Sequence, residues 1–288
     1  MYVKIFLVIT NHLTLSQILH VLKKSFICYI ALLLAFIGTG LPSFSQSSDN
    51  NYYLIAHRGG VVDSNRAENS LPALKAAIER GYKMVEVDLR LTKDSVLIIH
   101  HDMNFKRYFG LDKPVSDITW KEISKLKSNT GGSKVLQFEE ALQYCSGKID
   151  VMIDNKISGN DTLLFSKVVA LLKKYKLDKA ALMIGTSEST DFFTGKIKLS
   201  CTRKQLEENM LKPGYSPSHY YLFGNELSRD DVEWARRNNI LPVGVVNAWR
   251  YRRFANPAAE AEKDAQRLKA TGLNHFQIDS EFERFFLP

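Results

Sequence analysis

Short apolar runs alternate with segments of helical period along most of the chain. Tyr52–Ala56, Met84–Leu89, Val96–His101 and Ile149–Ile153 are β-rich runs. Ala180–Ile184, Lys196–Ser200, Tyr220–Phe223, Leu241–Val246 and His275–Ile278 continue the series. After the first run, Leu71, Leu74, Ala77 and Ile78 recur at helical spacing, and Gly81 closes the segment as a C-cap does. Phe138–Tyr144, Thr162–Tyr175, Arg203–Met210, Arg229–Asn238 and Pro257–Ala270 carry the same period. Alternation kept up over a whole domain predicts parallel strands joined by crossover helices. Nine runs are one more than an eight-stranded barrel uses, and Tyr220–Phe223 is expected to lie outside it. No linker, repeat or low-complexity tract divides the series.

The N-terminus follows a different pattern. Lys23 and Lys24 precede a twelve-residue apolar stretch, Phe26–Ile37, and Ser43-Phe44-Ser45 supplies small residues at the two positions read by a signal peptidase. Residues 1–45 are expected to be a cleaved signal peptide. An uncleaved anchor is the alternative, since extending the run through Gly38–Phe44 approaches the roughly 20 residues that span a bilayer. Removing residues 1–45, which carry three lysines and no acid, leaves 243 residues with a net charge of +5. That length fits one α/β domain, a TIM (β/α)₈ barrel of about 250 residues, over residues 46–288. Export to the periplasm or the extracellular space follows from the leader.

Composition excludes several classes. At 45% hydrophobic and 24% charged, the chain is ordinary globular protein rather than disordered, collagenous or coiled-coil. Three cysteines rule out a disulfide scaffold, and the exported part keeps only Cys145 and Cys201, read as two buried thiols rather than a bridge. The basic excess suits anionic substrates or membrane surfaces, and no nucleic-acid partner is expected. No oligomeric state is assigned.

Chemistry gathers at strand ends. His57-Arg58-Gly59-Gly60 follows the first run, and His100-His101-Asp102 and Asp154-Asn155-Lys156 end two others. Glu86 and Asp88, at i and i+2 of one strand, face the same way, opposite to Val85 and Val87. In a parallel barrel such ends surround one mouth. One such group alone reads as a satisfied surface cluster, but four successive ones point to a site. Carboxylates crowded into one cavity either hold protons or share a cation, and an all-oxygen set suits Ca²⁺ or Mg²⁺.

His57-Arg58-Gly59, Glu68-Asn69-Ser70, Glu86-x-Asp88 and His101-Asp102, in that order and spacing, resemble the signature of the glycerophosphodiester phosphodiesterase family, which shares its barrel with the phosphatidylinositol-specific phospholipases C. The likeness runs from about Tyr53 to Lys156 and takes in Phe105-Lys106-Arg107, Ser116-Asp117-Ile118-Thr119 and Phe138-Glu139-Glu140-Ala141-Leu142, with Ile278-Asp279 resembling the last strand. The resemblance implies His57 and His101 as general acid and base, and Arg58 and Lys156 as phosphate contacts. It implies Glu86, Asp88 and Asp154 as ligands of a divalent cation, and Glu68 as a partner of Arg58. Asp154 stands where the family has Glu, and Val245-Val246-Asn247-Ala248-Trp249-Arg250 stands where it has Trp-Thr-Val-Asn. The segment between His101 and Phe138 is short, so no inserted subdomain is expected to cap the mouth. The implied reaction is metal-dependent hydrolysis of a small glycerophosphodiester to sn-glycerol 3-phosphate and an alcohol.

Two other readings remain open. One is phospholipase D-like action on lysophospholipid or sphingolipid, which an exposed apolar rim would favour. The other is a non-catalytic phosphate-binding module. His100 points away from His101 and is expected to pack rather than react. Trp249-Arg250-Tyr251-Arg252-Arg253 reads first as a solvated loop, and second as a recognition loop for an anionic substrate or for peripheral membrane contact.

Intact-mass measurement on native material tests the leader. A chain beginning at or near Gln46 is the expected result, whereas a full-length mass in the membrane fraction would establish the anchor.

Overall fold

The computed structural model describes residues 52–287, so the expected leader or anchor lies outside the described residues. Among them, no helix is long and apolar enough to cross a membrane. The strands, in chain order, are β1 (Tyr53–Ala56), β2 (Met84–Leu91), β3 (Leu97–Ile99), β4 (Asn104–Phe105), β5 (Leu111–Pro114), β6 (Leu136–Gln137), β7 (Asp150–Asn155), β8 (Leu182–Ile184), β9 (Lys198–Cys201), β10 (Tyr220–Gly224), β11 (Leu241–Val246) and β12 (His275–Ile278). Eight of them pair in parallel in the order β1, β12, β11, β10, β9, β8, β7, β2, and β2 pairs back to β1. The sheet is thereby closed into the expected barrel, with helices on its outside.

The helices start where side chains satisfy their first N–H groups. Ser70 Oγ accepts from Ala73 N at the head of Leu71–Glu79, and Asp161 accepts from Leu164 N at the head of Thr162–Lys174. Thr202 with Gln205, and Ser228 with Asp231, form reciprocal capping boxes on Arg203–Met210 and Arg229–Arg237.

Strand parity divides the barrel into layers. Val85, Val87, Val151 and Ile153 face the helices and join the main core, while Ile55, Met84, Met152, Leu182, Tyr221 and Val243 fill the barrel interior. Two residues further along the same faces stand His57 after Ile55, Glu86 and then Asp88 after Met84, and Asp154 after Met152. An apolar floor thus lies beneath a polar mouth.

Two expectations are corrected. Tyr220–Gly224 is a barrel strand, with Tyr221 in the interior. The run outside the barrel is Val96–His101, whose central part, β3, pairs antiparallel with β2 (Leu89 opposite Ile99) and continues to β6. The reason is the length of β2, which at eight residues overshoots the mouth. A tight turn, with Ser95 at φ 60° and Thr92 Oγ1 donating to Asp94, sends the chain back down. His100 N then donates to Asp88 O at 2.8 Å, and His101 returns to the mouth by a hairpin rather than by a parallel strand.

The segment from 97 to 137 is short, yet it has its own small core of Ile98, Phe105, Val115, Ile118, Ile123 and Val135. His100 packs here as expected, buried, stacked on Phe105 at 4.5 Å between centroids and bonded through Nε2 to Asn104 O. Cys145 and Cys201 are unbridged and buried, and burial pushes their thiols up to about 12 and about 11.

The turn after β1 tolerates only glycine at one position. Gly60 has φ 132°, and a Cβ there would lie 2.2 Å from Ala73 O, in the first turn of a core-packed helix. Gly60→Ala is expected to destabilise the barrel by at least about 3 kcal/mol, read from urea unfolding of residues 46–288; wild-type stability would refute the packing account.

Candidate active site

The mouth is built on the turn that follows β1. Arg58 is left-handed there (φ 56°), which aims its N–H at Glu86 Oε2 (2.6 Å) and its guanidinium at Glu68 Oε2 (2.9 Å). Asn69, also left-handed, donates from N to Arg58 O at 2.8 Å, and its side-chain amide donates to Asp88 Oδ2 at 2.8 Å. A Cβ at Gly59 would meet Asn69 Cα at 2.5 Å, so these two short segments pack backbone against backbone. The spacing of His-Arg-Gly and Glu-Asn-Ser therefore has a mechanical meaning: one segment clamps the other beneath the carboxylates.

Glu86, Asp88 and Asp154 each present an oxygen within 4.8 Å of the others, with Asp88 directly beside Asp154 in the β2–β7 ladder. Glu86 and Asp88 are buried. Burial, followed by the charges of Asp88 and Asp154, pushes the Glu86 carboxyl well above the usual range. Burial and Asp88 also raise Asp154, against the pull of Lys156. Burial works to raise Asp88 too, but Lys156, His101, the Asn69 hydrogen bond and His57 together bring it below the usual range. Lys156 Nζ lies 3.2 Å from Asp88 Oδ1 and also pairs with Asp154; both carboxylates hold its ammonium protonated despite burial.

The donor set fits a hard divalent cation. Glu86 Oε1 and Asp88 Oδ1 are buried without a hydrogen-bond partner among the described residues, the approach of Lys156 to Asp88 not being aligned for one. Two of the three converging carboxylates thus each keep an oxygen whose lone pairs no donor meets, and a cation answers that lack. Glu68, His101 and Asp102 also converge within 4.8 Å, but Arg58 and Arg107 already neutralise that group.

The two histidines approach the carboxylates with different backing. His57 Nδ1 is 2.7 Å from Asp279 Oδ1, whose other oxygen accepts from Ala248 N at 2.6 Å, and His57 Nε2 faces Glu86 Oε2 at 3.9 Å. His101 Nδ1 is 2.8 Å from Asp102 Oδ1, and Arg107 binds both oxygens of Asp102 and both of Glu68. An ionised carboxylate only accepts, so each ring holds its proton on Nδ1 and leaves Nε2 open when neutral. Asp279 and Arg107 stand in the sequence only as parts of longer motifs. Their partners lie 222 and 39 positions away, and neither contact leaves a trace in local periodicity.

The chain has relatives among known proteins. Residues 57–190 match the model of the glycerophosphoryl diester phosphodiesterase family. These residues belong to that family. Human lysophospholipase D GDPD1 is 31% identical over 137 residues, covering 42% of this chain and 41% of the human one. A glycerophosphodiester phosphodiesterase of Caldanaerobacter subterraneus subsp. tengcongensis is 28% identical over 139 residues, 45% of this chain and 56% of that one. The chain thus matches only about two fifths of the length of the human relative. In fold, a glycerophosphoryl diester phosphodiesterase from Parabacteroides distasonis superposes with a TM-score of 0.68 at 18% identity, over 84% of this chain and 90% of that one. An Oleispira antarctica phosphodiesterase solved with sn-glycerol-3-phosphate gives 0.60 at 18% identity, over 81% and 95%. The family match ends at residue 190, so Asp279 and the loop after β11 stand outside it.

Without a bound cation, Glu86 works against folding at neutral pH. Its folded pKa is raised, so stability is lost progressively as pH rises from the unfolded value of 4.5 through the raised folded one. Glu86→Gln is therefore expected to raise the melting temperature in EDTA at pH 7 by at least about 2 °C and to remove the gain that divalent cation gives the wild type. A lower melting temperature in EDTA would refute this.

Proposed function

We propose that the chain is a divalent-cation-dependent phosphodiesterase that hydrolyses glycerophosphodiesters to sn-glycerol 3-phosphate and an alcohol. The observation that carries the reading is the convergence of three carboxylates, two of them with orphaned oxygens, beside two carboxylate-backed histidines and Arg58. A phosphate-binding module has no use for two such imidazoles.

Glu86, Asp88 and Asp154 would hold Ca²⁺ or Mg²⁺, which supplies positive charge against the phosphoryl oxygens when bound. Arg58, steadied by Glu68, and Lys156 bind the phosphate from the protein side. His57 Nε2 takes the proton of the attacking hydroxyl, either the 2-hydroxyl of glycerol or water. Asp279 supports this role because it is spent on one imidazole and one backbone N–H, leaving its charge to stabilise the imidazolium. Asp102, held on both oxygens by Arg107, fixes the His101 ring through Nδ1, and His101 gives a proton to the leaving oxygen.

Beside Arg58 and Asp279 opens a cavity of about 240 Å³, also lined by Tyr108, Trp249, Arg252 and Glu281. Its size and polarity suit the phosphodiester and a small alcohol such as choline, ethanolamine or glycerol. The short segment from 97 to 137 supplies Tyr108 and Arg107 to this wall, so it shapes the mouth from the side. A second reading, removal of the head group from a lysophospholipid, is favoured by exposed apolar side chains around the same mouth and by the lysophospholipase D relatives. In either case the leader implies work outside the cytoplasm.

The test is turnover of glycerophosphocholine, glycerophosphoethanolamine, glycerophosphoglycerol and lysophosphatidylcholine by residues 46–288 with Ca²⁺, Mg²⁺ or EDTA. His57→Ala and His101→Ala are each expected to lower turnover about 10²–10⁴-fold while cation binding persists. Asp154→Glu is expected to keep activity. Binding of a diester without hydrolysis at any cation concentration would establish the module instead.

A further inference from the structure

Of six large hydrophobic side chains exposed among the described residues, four stand at the mouth end of the barrel. They are Met103 (76% exposed), Leu163 (73%), Trp249 (55%) and Phe254 (39%). Met103 follows the hairpin that returns His101 to the mouth, Leu163 opens the helix after β7, and Trp249 and Phe254 sit in the loop after β11. Leu163 and the loop after β11 lie beyond C-terminal ends of barrel strands, and Met103 lies in the segment that leaves the C-terminal end of β2. The segment containing Met103 and the loop containing Trp249 flank one cavity, since Arg107 and Tyr108 line it from one side and Trp249 and Arg252 from the other. Exposed apolar side chains scattered singly need no explanation, but several gathered at one end of a barrel, with Trp249 itself lining the cavity, mark a contact surface.

Charge on that loop selects the contact. From Trp249 to Phe254 it carries three arginines and no acid. Arg250 is tied to Glu226 and Asp264, whereas Arg252 and Arg253 form no ion pair among the described residues. Arg253 lies over the Phe254 ring at 5.1 Å, a cation and an aromatic presented together. Arginine beside tryptophan and phenylalanine is the composition of a segment that lies in a lipid interface, with rings in the acyl boundary and guanidinium groups on phosphates. A cavity of about 240 Å³ beside Arg58 has room for a head group but not for an acyl chain as well. A lipid-borne substrate would leave its chain outside, where the apolar side chains stand.

We propose that the mouth rim, through Met103, Trp249, Arg253 and Phe254, docks on an anionic phospholipid bilayer and presents the cavity to head groups at its surface. This rests on the phosphodiesterase reading and names where its substrate is met. The opposite end of the barrel offers a rival orientation. Lys173, Lys179, Lys196 and Lys198 surround a cavity of about 570 Å³ there, with Asp178 as the one lining carboxylate, and simple attraction to anionic lipid would use that face. The rim differs in offering apolar side chains together with its charge.

Residues 46–288 contain the whole closed barrel and both layers of its core, so that chain folds without the leader and is free of its apolar run. The assay is sedimentation with vesicles of phosphatidylcholine and phosphatidylglycerol, with circular dichroism as the check on folding. Wild-type protein is expected to co-sediment. A Met103→Ser/Phe254→Ser variant is expected to lose at least about tenfold in partition, and Arg253→Ala to lose binding only where phosphatidylglycerol is present. A Lys173→Ala/Lys198→Ala variant at the opposite end keeps most of the binding. Turnover of glycerophosphocholine in free solution is unchanged by Met103→Ser/Phe254→Ser, while turnover of vesicle-borne lysophosphatidylcholine falls with the partition. The proposal is overturned if wild-type protein stays in the supernatant, or if the opposite-end variant loses as much binding as the rim variant. Failure to hydrolyse any diester would instead remove the phosphodiesterase reading and leave the partition result standing.

Discussion

Three carboxylates share the top of one barrel interior, and much of the surrounding structure answers their charge. They come from two adjacent strands, so the pairing of β2 with β7 alone holds Asp88 against Asp154. Burial beneath the mouth removes the water that would otherwise screen them. The compensations arrive from separate parts of the chain: a backbone N–H from the turn after β1, an amide from Asn69, an ammonium from Lys156 and two imidazoles. They leave Glu86 Oε1 without a partner. A site whose own cations and donors stop short of the last carboxylate oxygen is arranged for a cation from outside.

The same charge explains why the histidines have carboxylate backing. Both imidazoles stand beside the carboxylate cluster, and the partner on Nδ1 is where the two rings differ. Asp279 is held by Ala248 N and serves His57 alone, whereas Asp102 belongs to a network running through Arg107 to Glu68 and Arg58. One network therefore fixes both Arg58 and the second histidine, and movement of Arg107 would reach both. Asymmetry between two chemically identical side chains thus comes from second partners.

Much of this was legible in the sequence because it follows from parity. Glu86 and Asp88 at i and i+2, and Asp154 two positions beyond Met152, face inward for the same reason that Val85 and Ile153 face outward. Strand and helix positions followed closely, and Leu241–Val246, His275–Ile278, Arg203–Met210 and Pro257–Ala270 agree to the residue. The hairpin was not legible. Val96–His101 has the apolar content of a barrel strand, and what makes it antiparallel is the overshoot of β2 and the Thr92–Ser95 turn. Tyr220–Phe223 carries no sign in its own residues that it belongs to the barrel, although Tyr221 fills the interior that an eighth strand must fill. Asp279 escaped notice as a partner because a lone acid after a strand looks like any loop acid until the barrel closes and sets β12 beside β1.

Asp154 shows how one side-chain length changes the balance at the mouth. A glutamate there would carry its carboxylate about 1.5 Å farther from the strand, out toward the cavity. The aspartate stays closer to the wall, where Lys156, just past the end of β7, pairs with it and with Asp88 together. Those carboxylates keep the ammonium charged, so it is a permanent competitor for the same oxygens rather than a group that leaves by losing its proton. Cation affinity at this mouth is therefore a difference between two cations, one tethered and one free. The shorter side chain favours the tethered one, and Glu86 Oε1, which has no hydrogen-bond partner among the described residues, is the oxygen the tethered cation leaves open.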